Sequence, residues 1–276
     1  MKKSFDFLGP EVSGADRDRV YVIPVPIEWS TSYQKGTAHA PAAILEASRQ
    51  VELYNQTLGL DLERSGIATL DPEIGSKEEL SSFITRHRPE LMSVFPCFIG
   101  GEHSITPWIL EALRPDRIGI VWLDAHADLR ESYLGEKENH ACAARNSLPF
   151  GQIVEVGVRS YSKEEGAFLA GSDRIVACTY WDARARDAVY ALPDRVYLSI
   201  DYDVIDPSLL RAVGTPEPDG LQWDTLMDLL TFVFSEKTVI GMDAVELCPK
   251  ESDEVSNFIA AKVLFEAISR LLSKGG

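Results

Sequence analysis

The sequence predicts an α/β protein built on a doubly wound, mostly parallel sheet, and three observations carry that prediction. Eight short apolar runs, at residues 20–26, 66–70, 95–100, 118–124, 153–158, 175–178, 196–203 and 239–245, are mostly rich in Val and Ile and too short for helices. These runs are nearly continuous in apolar character, which marks strands covered on both faces. Helical patterns separate them, and strands alternating with helices make crossover units whose strands lie parallel.

The helical segments follow in order. Residues 41–49 open with Pro41, whose fixed φ suits a first helical turn. Residues 76–91 begin with Ser76 and Glu79, the spacing of a capping box. Patterns at 162–169, 181–191 and 223–234 come next, and 252–272 presents Val255, Phe258, Ile259, Val263 and Phe265 as an apolar side. No low-complexity linker or internal repeat interrupts the 276 residues, so one domain over 1–276 is expected.

Composition narrows the function. With 27 Lys and Arg against 43 Asp and Glu, the chain carries a formal charge of -16. Nucleic acid is therefore excluded as a partner, because phosphate binding needs basic patches. A small cationic substrate suits a negative field. Cys97, Cys142, Cys178 and Cys248 form no C-x-x-C pair, so neither a disulfide framework nor a thiolate metal site is expected. The opening Met1-Lys2-Lys3-Ser4-Phe5-Asp6-Phe7 has no apolar core of a signal peptide. No stretch approaches the roughly 18 apolar residues of a membrane span. A cytoplasmic protein with no membrane partner is expected.

In open α/β sheets, sites form beyond the carboxyl ends of the strands. Four such ends are rich in chemistry: Gly100-Gly101-Glu102-His103, Asp124-Ala125-His126-Ala127-Asp128, Asp201-Tyr202-Asp203 and Asp243-Ala244-Val245-Glu246. In extended chain, alternate side chains share a face, so Asp124, His126 and Asp128 can converge, as can Asp201 and Asp203. With His103 they make two imidazoles and four carboxylates. A lone Asp at a strand end is usually a cap or turn former. A D-x-H-x-D cluster at a buried end, however, is costly without a compensating cation. Six ligands without a thiolate exceed one zinc site and suit two harder ions, with Mn²⁺ a good candidate. Two ions bridged by shared carboxylates activate water for hydrolysis.

The segments G-G-E-H-S (100–104), D-A-H-A-D (124–128) and S-I-D-Y-D-V-I-D-P (199–207) resemble the three signature motifs of the ureohydrolase (arginase/agmatinase) family. Likeness extends to residues 35–44, to Gly157-Val158-Arg159-Ser160 and to Gly214-Thr215-Pro216-Glu217-Pro218. The resemblance implies a three-layer α/β/α sandwich with an eight-stranded, mostly parallel sheet, two Mn²⁺ per chain, and a homotrimer or homohexamer. By that resemblance His103, Asp124, Asp128 and Asp201 hold one ion, and Asp124, His126, Asp201 and Asp203 the other. Residues 124–142 are most similar to the agmatinase branch, which implies agmatine as the small guanidino substrate, cleaved to urea and putrescine. Other guanidino compounds and formiminoglutamate are the alternatives, as is a catalytically weak binding or regulatory member. Glu131, Glu136 and Glu138 suit an amine tail better than a carboxylate, although a solvated loop has the same look.

The resemblance also suggests roles. Asp128 relays a proton, His140 acts as general acid or proton shuttle, and Glu246 pairs with the guanidinium. Cys142 beside His140 is not expected to be a nucleophile. Three departures stand out: Glu102 where Asp is commoner, Tyr202 between the two aspartates, where it should face away from the metals, and Ala212-Val213 where glycine is usual.

Overall fold

The computed structural model describes residues 6–13 and 18–274. Residues 1–5, which carry most of the signal-peptide expectation, lie outside them. The main elements are β1 (Val20–Val25), α1 (Ala40–Ser48), β2 (Tyr54–Asn55), β3 (Leu60–Asp61), β4 (Ile67–Thr69), α2 (Lys77–Leu91), β5 (Phe95–Gly100), α3 (Ile105–Leu113), β6 (Ile118–Leu123), α4 (Ala143–Ser147), β7 (Gly151–Val156), α5 (Lys163–Gly171), β8 (Ile175–Cys178), α6 (Ala183–Ala191), β9 (Arg195–Asp201), α7 (Trp223–Glu236), β10 (Thr238–Val245) and α8 (Glu254–Ser273).

Eight strands form one sheet in the order β4-β1-β5-β10-β9-β6-β7-β8, and every pairing in it is parallel. The small β2–β3 hairpin stands apart and is antiparallel. The strand period of two splits the core into two layers. On β6, Val121 and Leu123 join one apolar cluster, while Ile118, Ile120 and Trp122 join the other. Helices α1, α6, α7 and α8 pack on the first face, and α2, α3 and α4 on the second. The result is the three-layer α/β/α sandwich. Among the described residues no helix is long and apolar enough to cross a membrane.

All eight predicted strands and all six predicted helices are present. Two details differ from the sequence reading. The seventh predicted strand stops at Asp201, and Tyr202–Val204 forms a 3-10 turn in which the Asp201 side chain accepts the Asp203 amide. At α2, Ser76 accepts from the Glu79 amide, but Glu79 reaches back to Gly75 N, one residue short of a true box. A complete box caps α5, between Ser162 and Glu165.

The chain runs outward to β8 and then returns, so that β9 and β10 occupy the middle of the sheet between β5 and β6. The carboxyl ends of β5, β10, β9 and β6 are therefore adjacent. This switch point is where α/β sheets open a crevice.

Candidate metal centre

Each of the four adjacent strand ends delivers its polar residues to that crevice. At β5 the chain turns through Gly101, where a Cβ would lie 2.0 Å from the Ile27 carbonyl oxygen. Only glycine allows this approach, and it directs Glu102 and His103 inward. At β6 the strand ends at Leu123. Asp124 then accepts the His126 amide at 2.6 Å and Trp122 Nε1 at 2.9 Å. Asp128 and Glu246 adopt left-handed φ of 48° and 65°. Such strain costs on the order of 1–3 kcal/mol each and persists where surroundings enforce it.

The six predicted ligands come together. His103 Nδ1 lies 3.2 Å from Asp124 Oδ2, 3.3 Å from Asp201 Oδ2 and 3.5 Å from Asp128 Oδ2. His126 Nδ1 lies 2.8 Å from Asp203 Oδ2 and 3.7 Å from Asp124 Oδ1. Two triads have ligand atoms close enough to share an ion: His103, Asp124 and Asp128, and Asp124, His126 and Asp203. Asp124 belongs to both, one oxygen facing each imidazole. Asp201 reaches the first group through Oδ2, while its Oδ1 is engaged by the Asp203 amide. Convergence does not come from one extended strand, as the D-x-D spacing suggested, but from a tight turn after each strand.

Electrostatics favour a cation here. Burial works against charge on His103, yet Asp124, Asp128 and Asp243 outweigh it and push its pKa up to about 9. Burial together with neighbouring acids drives Asp128 and Asp201 well above the usual carboxylate range. Asp124 is instead held low: its burial is outweighed by the pull of the adjoining His103 and His126 imidazoles. The cluster therefore demands positive charge. His103 supplies a test of what kind. Its Nε2 lies 2.9 Å from Ser199 Oγ, and Ser199 in turn donates to buried Asp243 at 2.6 Å. Its Nδ1 has no hydrogen-bond partner, although three carboxylates face it. A buried lone pair aimed with three carboxylates at one point fits a metal ion, and the carboxylate-supported outer nitrogen is the usual arrangement of a ligating histidine.

A cavity of about 310 Å³ opens over this cluster. It is lined by His126, Asp128, His140, Asp201, Asp203 and Glu246, with Tyr33, Tyr133 and Tyr161 among the other wall residues. Glu246 Oε1 accepts the His103 amide at 2.7 Å. Burial first, then Glu102, pushes Glu246 up to about 8. Burial lowers His140 from its ordinary value, against the opposing pull of Glu102. Tyr202 turns away, as expected, and donates to the Ala260 carbonyl at 3.1 Å. Ala212-Val213 is stitched to the Glu246 segment by the Cys248 amide and the Val213–Leu247 bridge, which stiffens that wall. All four cysteines are free and buried, and burial pushes Cys142 up to about 11, a poor nucleophile. Glu131, Glu136 and Glu138 do not line the cavity: all three are exposed, and Glu138 pairs with Lys77. The solvated-loop reading holds for them.

Four contributors escaped the sequence reading. Glu217 lies 3.7 Å from His126 Nε2. Ser199 supports His103. Arg159 clamps the loop carrying Glu217, donating to the carbonyls of Gly157, Asp203, Glu217 and Pro218. Ser30 bonds His140. Arg159 and Glu217 lay in noticed motifs without a role, whereas nothing in the spacing marked Ser30.

The chain is similar along most of its length to known proteins. The model of the Arginase family matches residues 18–269. The chain is 34% identical over 278 residues to an agmatinase of Pyrococcus horikoshii, covering 96% of each. It is 33% identical over 269 residues to an N(1)-aminopropylagmatine ureohydrolase of Synechocystis, covering 90% of this chain and 87% of the relative. Among solved structures, the agmatine ureohydrolase of Thermoplasma volcanium superimposes with a TM-score of 0.85 at 31% identity, covering 99% and 97% of the two chains.

Proposed function

From the premise that the chain belongs to the arginase family, we propose that it is a two-metal ureohydrolase that cleaves agmatine to urea and putrescine. The observation that carries this reading is the sharing of Asp124 between two ligand triads beneath a cavity floored by Glu246. A relative of equal similarity is named for aminopropylagmatine, which is the second reading of the substrate.

Two Mn²⁺ are assigned, one to His103, Asp124, Asp128 and Asp201 and one to Asp124, His126, Asp201 and Asp203. When bound, such ions lower the pKa of water toward neutrality and so supply a nucleophile for a poorly electrophilic guanidinium carbon. The protein's own groups do the rest. With Glu246 Oε1 engaged by the His103 amide, Oε2 is left to receive a guanidinium N–H and orient the group. The cation then offsets the burial that raises the Glu246 carboxyl. Asp128 takes a proton from the attacking water. His140, which lines the same cavity, receives that proton from Asp128 and delivers it to the leaving amine, so that the C–N bond breaks forward. The reading takes residues 1–276 as one cytoplasmic domain assembled as a homotrimer or homohexamer, which light scattering of the purified protein tests.

Urea release from the Mn²⁺-loaded protein is measured on agmatine, aminopropylagmatine, guanidinobutyrate and arginine. Agmatine is expected to be preferred, and Asp128→Asn to lower kcat by roughly a hundredfold or more. Preference for another guanidine moves the substrate but keeps the chemistry. Urea from none of them, with two metals bound, sinks the reading.

A further inference from the structure

We propose that Glu102 and Ser30 form a hydrogen-bonded relay that fixes the Nδ1–H tautomer of His140, leaving Nε2 as the proton-exchanging nitrogen of the cavity-lining ring. The inference deepens the proposed function, since it concerns the imidazole assigned there to the leaving amine.

Proton bookkeeping carries the argument. Glu102 is fully buried and accepts four hydrogen bonds. Its Oε2 takes the amides of Trp29 and Ser30 at 2.8 and 2.7 Å. Its Oε1 takes the hydroxyls of Ser30 and Ser104 at 2.7 and 2.6 Å. Four donors fill the acceptor sites of a carboxylate, so Glu102 acts here only as an acceptor. The single Ser30 hydroxyl proton is thereby committed to Glu102. Ser30 Oγ can only accept from its other neighbours. These are the His140 amide at 3.1 Å and His140 Nδ1 at 3.0 Å. A contact between Ser30 Oγ and Nδ1 then requires the hydrogen to sit on Nδ1. A neutral imidazole carries one N–H, so Nε2 holds the lone pair. Burial, which disfavours the charged ring, is consistent with the neutral form.

The two contacts to Ser30, from backbone and ring, also fix the ring's orientation, and Tyr133 meets its edge at 5.9 Å between centroids. When Nε2 gains a proton, the carboxylate behind Ser30 stabilises the imidazolium. The logic is that of a base held in one tautomer by an acid behind it. Ser30 and Glu102 are positioning residues: they act through His140.

The test uses ¹⁵N-histidine-labelled protein loaded with diamagnetic Mg²⁺, with His140→Gln to assign the signals, and steady-state kinetics of the Mn²⁺ form. The wild type should show a pyrrole-type Nδ1 and a pyridine-type Nε2 for His140. Ser30→Ala should lose that preference and lower kcat roughly tenfold or more, with KM changed less than about twofold and metal content unchanged. Ser30→Thr, which keeps the hydroxyl, should restore both tautomer and kcat. An Nε2–H tautomer in the wild type, or full kcat in Ser30→Ala, overturns the relay. If the wild type cleaves no guanidine, the proposed function falls, while the tautomer measurement still decides the relay.

Discussion

Glu155 sits within β7 with neither carboxyl oxygen hydrogen-bonded and no exposure to solvent. Burial, reinforced by Asp124 and Glu165, raises its pKa well above the ordinary 4.5. A carboxyl with a raised folded pKa keeps a proton that the unfolded chain releases. Its contribution to stability therefore declines as pH rises above the ordinary value. Glu155→Gln should match the wild type near about pH 4 and melt at a higher temperature near about pH 8. Parallel Tm-against-pH curves for the two proteins would show the group to be solvated or paired. The sequence pointed to the six clustered residues because ionisable residues directly after an apolar strand are conspicuous. Glu155 lies inside such a strand and read only as part of it. Ser30 is 72 residues from Glu102 and 110 from His140, so only the folded chain joins them.

Among the elements, the loop after β9 depends on one side chain. Arg159 donates to carbonyls of both Asp203 and Glu217, tying the ligand turn to the cavity wall. Replacing it with Ala removes charge-assisted bonds worth about 1.5–3 kcal/mol each when the acceptors stay dry. Arg159→Ala is expected to raise amide hydrogen exchange across residues 214–221 while leaving β6 and β9 protected. Unchanged exchange there would mean that backbone bonds alone hold the loop. Long periodic helices and apolar strands were legible in the sequence. Helix α3 was not, because it is buried nearly all round, from Ile105 to Leu113, and has no polar face to produce a period. Helix α4, with 5 residues, and the two-residue strands β2 and β3 are too short to produce one. The overshoot of the β9 prediction to residue 203 arose because D-Y-D alternates like a strand, whereas the Asp201 side chain closes a 3-10 turn.

For the whole molecule, one end of the sheet gathers Asp124, Asp128, Asp201, Asp203 and Glu102 in burial, with Glu246 half-buried beside them, within a chain of net charge -16. Metal uptake relieves that repulsion and stabilises the fold by linkage. At a free Mn²⁺ concentration about a hundredfold above the Kd of one site, filling that site contributes about 2.7 kcal/mol. For a chain of this size, Tm should then rise by roughly 5–10 °C, at about 2–4 °C per kcal/mol. Differential scanning calorimetry with and without chelator measures the shift, and no shift would show that the ions do not bind the folded chain in preference to the unfolded one.

The central placement of β9 and β10 sets an order of events during synthesis. His103 and the Asp124–Asp128 segment leave the ribosome before the two strands that will separate them exist. Until those strands arrive, β5 and β6 have no neighbour on their facing edges, and their exposed backbone groups invite wrong pairing. The wedge is driven in last, and Glu246 at its tip completes the cavity. A chain interrupted before that residue carries the acids without the full set of partners. Closure of the cavity is thus a late event of synthesis, coming after His103, Asp124, His126, Asp128, Asp201 and Asp203 have all emerged.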